Sequence, residues 1–502
     1  MQRLLLRSTA FLSLFFALVL PAGATWSIVI VDHRTGEVGV GTATCLAQFG
    51  IRRAVPVIVV GKGVAAAQAT VDALGVNRQL IRDLLLEGAP ASQILTALEA
   101  SDIGHQSRQY GIVSLGGGNA VTFTGTQALA WAGGVTGEDG DWSYAIQGNI
   151  LVGPNVVSAA ETALLQTQGD MSERLLAAML AARFEGGDSR CNCAPNCGVP
   201  PPLPFVSSYT SFMGIARLGD VDGTCDSNGC AEGTYYLKRQ IVGQFGDPDP
   251  VDVLATRVAT WRSLLIGRPD HHLSSLVAAS PGVPVADGVD SKAMVLSLVD
   301  VDGTPLTTGG AQVTIVPAAD SVPFTTTAVI DHGDGTYGFD VIAGTLPGSA
   351  RFVVVVDDGT SPVQLAPLPE LEFAPAQALS RAPDVVAAAA GGRIEFVVSQ
   401  PARAGSPYVL LASASGTLPG VDLGGVVLPL NPDGVLTCTL IEANGPLLPN
   451  SFGLLDSDGE ARPAFAAPPG LLTSLTGQTL HFAALLFQPL EATVTVAVSV
   501  LP

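Results

Sequence analysis

From Thr25 onward, apolar runs are separated by short breaks rich in glycine, aspartate and proline, and each run predicts an element. Thr25 to Val31 and Glu37 to Thr44 read as strands around an Asp32 to Gly36 turn, which makes a hairpin. Val55 to Val60 and Val64 to Thr70 repeat the pattern about the Gly61-Lys62-Gly63 turn. Apolar residues then recur every three or four positions over Val76 to Leu86 and Ala91 to Ala100, predicting two helices. Strands over Tyr110 to Ser114, Ala120 to Thr124 and Trp142 to Leu151 precede helices over Val156 to Gln166 and Ser172 to Arg183. Strands at Ser208 to Arg217 and Thr234 to Val242 complete the set. Segregated runs of strands and helices predict a layered α+β domain over residues 25–245 rather than an alternating parallel one.

The break Asp247-Pro248-Asp249-Pro250 introduces a further helix, Val251 to Leu265, and residues 246–290 read as helix and linker. Strands between 291 and 365, punctuated by Asp302-Gly303 and Asp334-Gly335 turns, predict an immunoglobulin-like β-sandwich. Residues 380–502 form a second all-β domain, with strands such as Tyr408 to Ser413 and Thr493 to Val500. His481 and Cys438 are isolated in its apolar runs and read as structural.

Composition sharpens this picture in three ways. The 502 residues exceed what one core organises, and 47% hydrophobic against 14% charged residues, with 57 Gly and 35 Pro, suits turn-rich β domains. A net charge of −20 with no basic stripe argues against nucleic acid and anionic lipid as partners. Residues 1–24 read as a signal peptide: Arg3 and Arg7, an apolar Ala10 to Leu20, then Ala22-Gly23-Ala24 in small-x-small form. No later run is long enough for a membrane span, so an exported protein is expected. Five of seven cysteines crowd together (Cys191, Cys193, Cys197, Cys225, Cys230), while Cys45 and Cys438 stand apart. Their spacing lacks the paired form of zinc ribbons, so disulfides are expected and no metal; one of the five must pair elsewhere, with Cys45 available, or stay free.

Familiar catalytic signatures are missing: there is no G-x-S-x-G elbow, phosphate loop, H-E-x-x-H or dinucleotide fingerprint, and no cofactor is implied. Of the six histidines, His271 and His272 fall in the linker, His332 in a turn, and His33 and His105 read as solvated. What remains is Thr25, which cleavage after Ala24 would leave with its own free α-amine. An α-amine titrates near pH 8, so it can take the hydroxyl proton and make the threonine a nucleophile. Around it, Asn149 with Gly148 and Gln147 are candidates to hold an oxyanion or substrate. Asp32 is a candidate to hold the threonine amine. Arg108 and Asp188 would bind a polar substrate group or pair with each other.

Thr25-Trp26-Ser27-Ile28-Val29, Thr35 to Val40, Ala66-Ala67-Gln68-Ala69, Arg108-Gln109-Tyr110-Gly111, Trp131-Ala132-Gly133, Gln147 to Leu151 and Gly186 to Arg190 together resemble the family named domain of unknown function 1028. The resemblance implies membership of the Ntn-hydrolase superfamily: a four-layer αββα sandwich whose first strand begins with the nucleophile, here Thr25. It also implies a lysine beside the threonine, for which Lys62 is the candidate. Gly134 stands where the pattern has histidine, and the cysteine-bearing loop after Arg190 is a departure. An amidohydrolase acting on an unidentified small-molecule or peptide amide follows from this; the alternative is a non-catalytic secreted binding or surface-attachment protein on the same scaffold.

Overall fold

In the computed structural model, residues 25–192, 205–286, 288–375 and 378–502 are described. The expected signal segment, Cys193 and Cys197 lie outside them. The chain divides into two compact units, one made of residues up to 274 with 299–306 and 356–367, the other of 275–298, 307–355 and 368–502.

In the first unit, strands β1 (Thr25–Asp32), β2 (Val38–Thr44), β3 (Pro56–Val59) and β4 (Gly63–Ala69) are buried along their whole length. Burial of both faces requires cover on both. The helices between and after them are α1 (Ile51–Ala54), α2 (Val76–Leu86) and α3 (Ala91–Ser101). Strands β5 (Arg108–Ser114), β6 (Val121–Thr124), β7 (Gly133–Asp139) and β8 (Trp142–Asn149) come next. Helices α4 (Asn155–Gln166), α5 (Met171–Phe184) and α6 (Ser189–Asn192), strands β9 (Thr210–Ala216) and β10 (Leu237–Val242), and α7 (Pro250–Ser263) complete the unit. The strands form a six-stranded sheet, β10-β9-β2-β1-β8-β7, and a four-stranded sheet, β3-β4-β5-β6.

Three apolar layers separate the parts. Trp26, Ile28 and Ile30 of β1 pack with Val156 of α4, Leu175 of α5 and Leu254 of α7. Val29 and Val31, on the opposite side of the same strand, pack with Val64 and Val113 of the other sheet. Ala65 and Ile112 in turn pack with Ile81 of α2 and Leu98 of α3. The order is helices, sheet, sheet, helices. Close approach of α5 depends on two glycines in β2: a Cβ at Gly39 would come 2.5 Å from Met171 Sδ, and one at Gly41 2.7 Å from Met179 Sδ. Strand β7, not among the strands expected from sequence, is a half-exposed edge strand whose polar, glycine-rich Gly133–Asp139 carries no apolar run.

His271 and His272 are not in an open linker. His271 is buried with Nε2 3.5 Å from Glu37 Oε1 and Nδ1 3.6 Å from Asp270 Oδ1. Arg217 Nε donates to Glu37 Oε1 at 2.6 Å, and its guanidinium carbon lies 3.1 Å from the Tyr236 ring centre. Burial alone would raise the Glu37 carboxyl, but His271 and Arg217 outweigh it and hold it at about 2. This ionic cluster closes the end of the sheets where β1 terminates. His105 is likewise buried, stacked on Phe123 with ring centres 4.0 Å apart, rather than solvated.

Disulfides join Cys45 to Cys191 and Cys225 to Cys230, while Cys438 is free and exposed. No group of His, Cys, Asp and Glu among the described residues could hold a metal ion, and no described helix is long and apolar enough to cross a membrane.

The second unit holds β-sandwich regions. Thr336–Ala343 alternates buried and half-buried positions, as a strand covered on one face must. It lies in one sheet with Ser291–Ser297 and Phe324–Thr326, and Phe324 meets Phe352 of a second sheet at 4.7 Å between ring centres. Toward the C-terminus, Phe396 and Phe465 pack on Phe482 of another sheet at 4.7 and 5.5 Å. A helix, Gly434–Ile441, interrupts this otherwise β region.

Candidate functional site

The face between the two sheets changes character along β1. Strand alternation puts Thr25 and Ser27 on the same side as Val29 and Val31. Toward Asp32 that interface is valine and alanine; toward Thr25 it becomes Ser27, Thr42, Gln68, Gln109, Gln147 and Asn149, all buried. Buried polar side chains are usually hydrogen-bonded, and each of these makes at least one hydrogen bond.

Register pairs Thr25 with Asn149 on one side and Thr44 on the other. From the facing sheet, Gln68 Nε2 donates to the Thr25 carbonyl at 2.9 Å and to Gln109 Oε1 at 2.8 Å. Gln109 Oε1 also accepts from Asn149 Nδ2 at 3.1 Å. The Gln109 amide nitrogen donates to the Gly148 carbonyl at 2.8 Å and to Thr124 Oγ1 at 2.9 Å. The Ser27 hydroxyl contacts Gln68 Oε1 and lies 2.9 Å from Thr42 Oγ1. A relay of amides therefore ties the backbone of Thr25 to the side chain of Asn149 through two glutamines of the other sheet.

Gln147 donates to the Ser27 carbonyl at 3.2 Å, while its Oε1 is buried without a hydrogen-bond partner. Its amide rests directly on Gly111, where a Cβ would come 2.0 Å from that oxygen. Gly134 is equally constrained, because a Cβ there would meet Thr122 Oγ1 at 2.5 Å and the Ile146 carbonyl at 2.7 Å. This backbone has no room for a histidine at that position.

Asp188 stands at the same end. Its Oδ2 accepts from the backbone nitrogen of Cys45 at 2.8 Å, one residue beyond the Thr44 that pairs with Thr25. It also pairs with Arg190 at 2.8 Å, not with Arg108. Burial pushes the Asp188 carboxyl up despite Arg190 and the Cys45 amide. Arg108, at the start of β5, is engaged by Asp102 at 2.8 Å and donates to the Thr70 carbonyl at 2.6 Å.

Two sequence candidates fall away from the threonine. Asp32 is at the far end of β1, seven residue steps or about 23 Å from Thr25 at strand spacing. There its carboxylate accepts from the Arg34 and Thr35 amides, an Asx turn that needs no other role. Lys62 is exposed in the turn before β4, about 20 Å along that strand from the Gln68 end. Neither reaches the Thr25 hydroxyl. Conversely, Gln68, Gln109, Ser27 and Thr42 were not singled out as site residues. Ser27, Thr42 and Gln68 carried a signal, as polar residues inside runs that are otherwise largely apolar or glycine.

Comparison with known proteins finds different similarities for two parts of the chain. Residues 25–194 match the family model described as "Family of unknown function (DUF1028)", and residues 270–367 match "Invasin, domain 3". A solved structure of the first family, from Silicibacter pomeroyi, is 21% identical, covering 47% of this chain and 85% of that one at a TM-score of 0.36. The Yersinia pseudotuberculosis adhesin InvE is 21% identical, covering 45% of this chain and 59% of that chain at a TM-score of 0.19. The Escherichia coli adhesin FdeC is 10% identical over 95% of this chain and 97% of that one, with a TM-score of 0.18. A search of curated proteins gives no match. The chain thus couples a mixed α/β unit similar to a family of unknown function to a β-sandwich region similar to invasin domain 3.

Proposed function

We propose that the chain is an exported binding protein that acts at a cell surface, its β-sandwich regions making the attachment and its α/β unit carried with them. The observation that supports this most is the match of residues 270–367 to invasin domain 3. The disulfides Cys45–Cys191 and Cys225–Cys230 of the α/β unit suit an oxidising compartment. The β-sandwich regions need no catalytic group for this role, and tandem sandwiches present their loops and edges as contact surface. Fractionation tests the location: the protein is expected with intact cells and to be removed by brief external protease treatment. Recovery only from the cytoplasm would overturn the reading.

A second reading, favoured by the amide relay behind Thr25, makes the α/β unit an Ntn-type amidohydrolase. Its layered order of helices and paired sheets suits that fold. In this reading signal cleavage frees Thr25, the α-amine takes the hydroxyl proton, and the oxygen attacks an amide carbonyl to form an acyl-enzyme that water releases. Asn149 Nδ2 keeps one hydrogen beyond that given to Gln109, and in this reading it would donate that hydrogen to the oxyanion. An acylating β-lactone should then label the mature protein at Thr25 and fail to label Thr25→Ala, with little change in melting temperature. Equal labelling of a form with one residue added ahead of Thr25 would exclude an N-terminal nucleophile, since a peptide nitrogen is no base.

A further inference from the structure

Beyond Thr44 and beyond Ala69, the chain leaves the two sheets at the Thr25 end, and these two connections line a cavity of about 450 Å³. Its walls are apolar: Leu46, Phe49, Ala54, Val71 and Ala73. Leu74 and Val76, in and just after the second connection, are 73% and 56% exposed. Apolar surface gathered in one place on a protein of net charge −20 marks a contact site.

Two arginines also line this groove, on a chain whose net charge is −20. Arg53 of α1 is exposed, and among the described residues its guanidinium makes no hydrogen bond or ion pair. Arg78 of α2 is only 2% exposed; it donates to the carbonyls of Arg53 and Asp72, and its Nε is buried with no partner. The one carboxylate in the lining, Asp72, accepts from the Leu74 and Asn77 amides at 3.2 and 2.7 Å, the second in the first turn of α2. Asp72 and Asp226 offset the burial of Arg78 only in part, and its guanidinium is held below its ordinary value. Asp72 and Asp226 thus face Arg78, and the groove sets the exposed guanidinium of Arg53 at one side of an apolar trough. The loop closed by Cys225–Cys230 contributes Ser227 to the lining and holds that wall in place.

We propose that this groove binds a small molecule bearing a carboxylate on an apolar group, the carboxylate paired with Arg53 and the apolar part against Phe49, Ala54, Val71 and Ala73. A guanidinium meets a carboxylate with two parallel hydrogen bonds, and a trough of this size takes a ligand of phenylalkyl dimensions. The site gives the α/β unit a ligand of its own, whether or not Thr25 reacts.

Isothermal titration of the mature full chain with 4-phenylbutyrate and with 4-phenylbutyramide separates charge from shape. The carboxylate is expected to bind at least about tenfold more tightly than the amide, the scale of one charge-assisted contact. Arg53→Gln should bring the two affinities together, and Ala73→Glu, at an exposed loop position, should weaken the carboxylate more than the amide. Melting temperatures of both variants should match the parent protein. Equal affinities in the parent protein, an Arg53→Gln variant that keeps the preference, or no saturable heat with either compound would each overturn the proposal. These outcomes do not depend on labelling at Thr25, so failure of the groove and failure of the nucleophile are read separately.

Discussion

Replacing Cys45 and Cys191 by serine is expected to cost the first unit about 4–5 kcal/mol, because this disulfide closes the longest loop of the two observed. The two cysteines are 146 residues apart, against 5 for Cys225 and Cys230, and a cross-link removes more freedom from an unfolded chain when the loop is long. The effect also has a local side. Cys45 follows Thr44, the strand partner of Thr25, and its amide holds Asp188. Opening the bond should loosen the connection that carries Leu46 and Phe49 into the groove. Denaturant unfolding of the double-serine variant, compared with the parent protein, measures it. A midpoint that does not move would mean the sheets alone fix this end, and the bond is then ornamental to stability.

Arg217→Leu is expected to destabilise the first unit by about 3–5 kcal/mol at neutral pH, since it leaves buried carboxylates without their cation. Glu37 and Asp270 are both buried against Arg217 and His271. In the parent protein burial would raise both carboxyls, but the cations hold Glu37 at about 2 and push Asp270 well below its ordinary value. A depressed carboxyl contributes stability that is present above its unfolded value, near pH 4, and lost as the pH falls through the folded one. His271 has the opposite sign. Burial and Arg217 lower it, Glu37 and Asp270 outweigh them, and its net rise means stability present below about pH 6.5 and lost as the pH climbs through the folded value. With the arginine gone, the carboxyls retain protons more readily, so the deficit should shrink between pH 7 and pH 4. Arg217→Lys should recover part of the loss, keeping the charge but not the stacking on Tyr236. A deficit independent of pH would show that Arg217 acts through packing alone.

Most strands and helices of the first unit were legible because continuous apolar runs and three-to-four spacing survive any tertiary context. The paired threonine and asparagine were legible too, since both lie at the ends of such runs. Much of what escaped depended on residues far apart in sequence. Glu37 and His271 are 234 positions apart, and nothing local marks either as a member of a buried cluster. Asp32 and Lys62 were drawn to Thr25 by closeness in the chain, whereas extended strands carry their two ends apart. Gln68 and Gln109 gave a real signal, a lone amide in a buried strand, that is meaningful only once the second sheet is seen to face the first. The helix Gly434–Ile441 followed from an Asp433 cap whose side chain accepts from the Leu436 amide, a short-range cue inside a region otherwise read as strand.

Attachment at a surface is tested most directly by adding the fluorescently labelled mature chain to intact cells, those of the producing culture and cultured animal cells, and measuring bound label against concentration. Saturable binding to one of these surfaces, displaced by excess unlabelled protein, is the expected result. Binding that rises linearly without saturation on every surface, or no retained label at all, would contradict it and leave the chemistry at Thr25 as the better description of the protein.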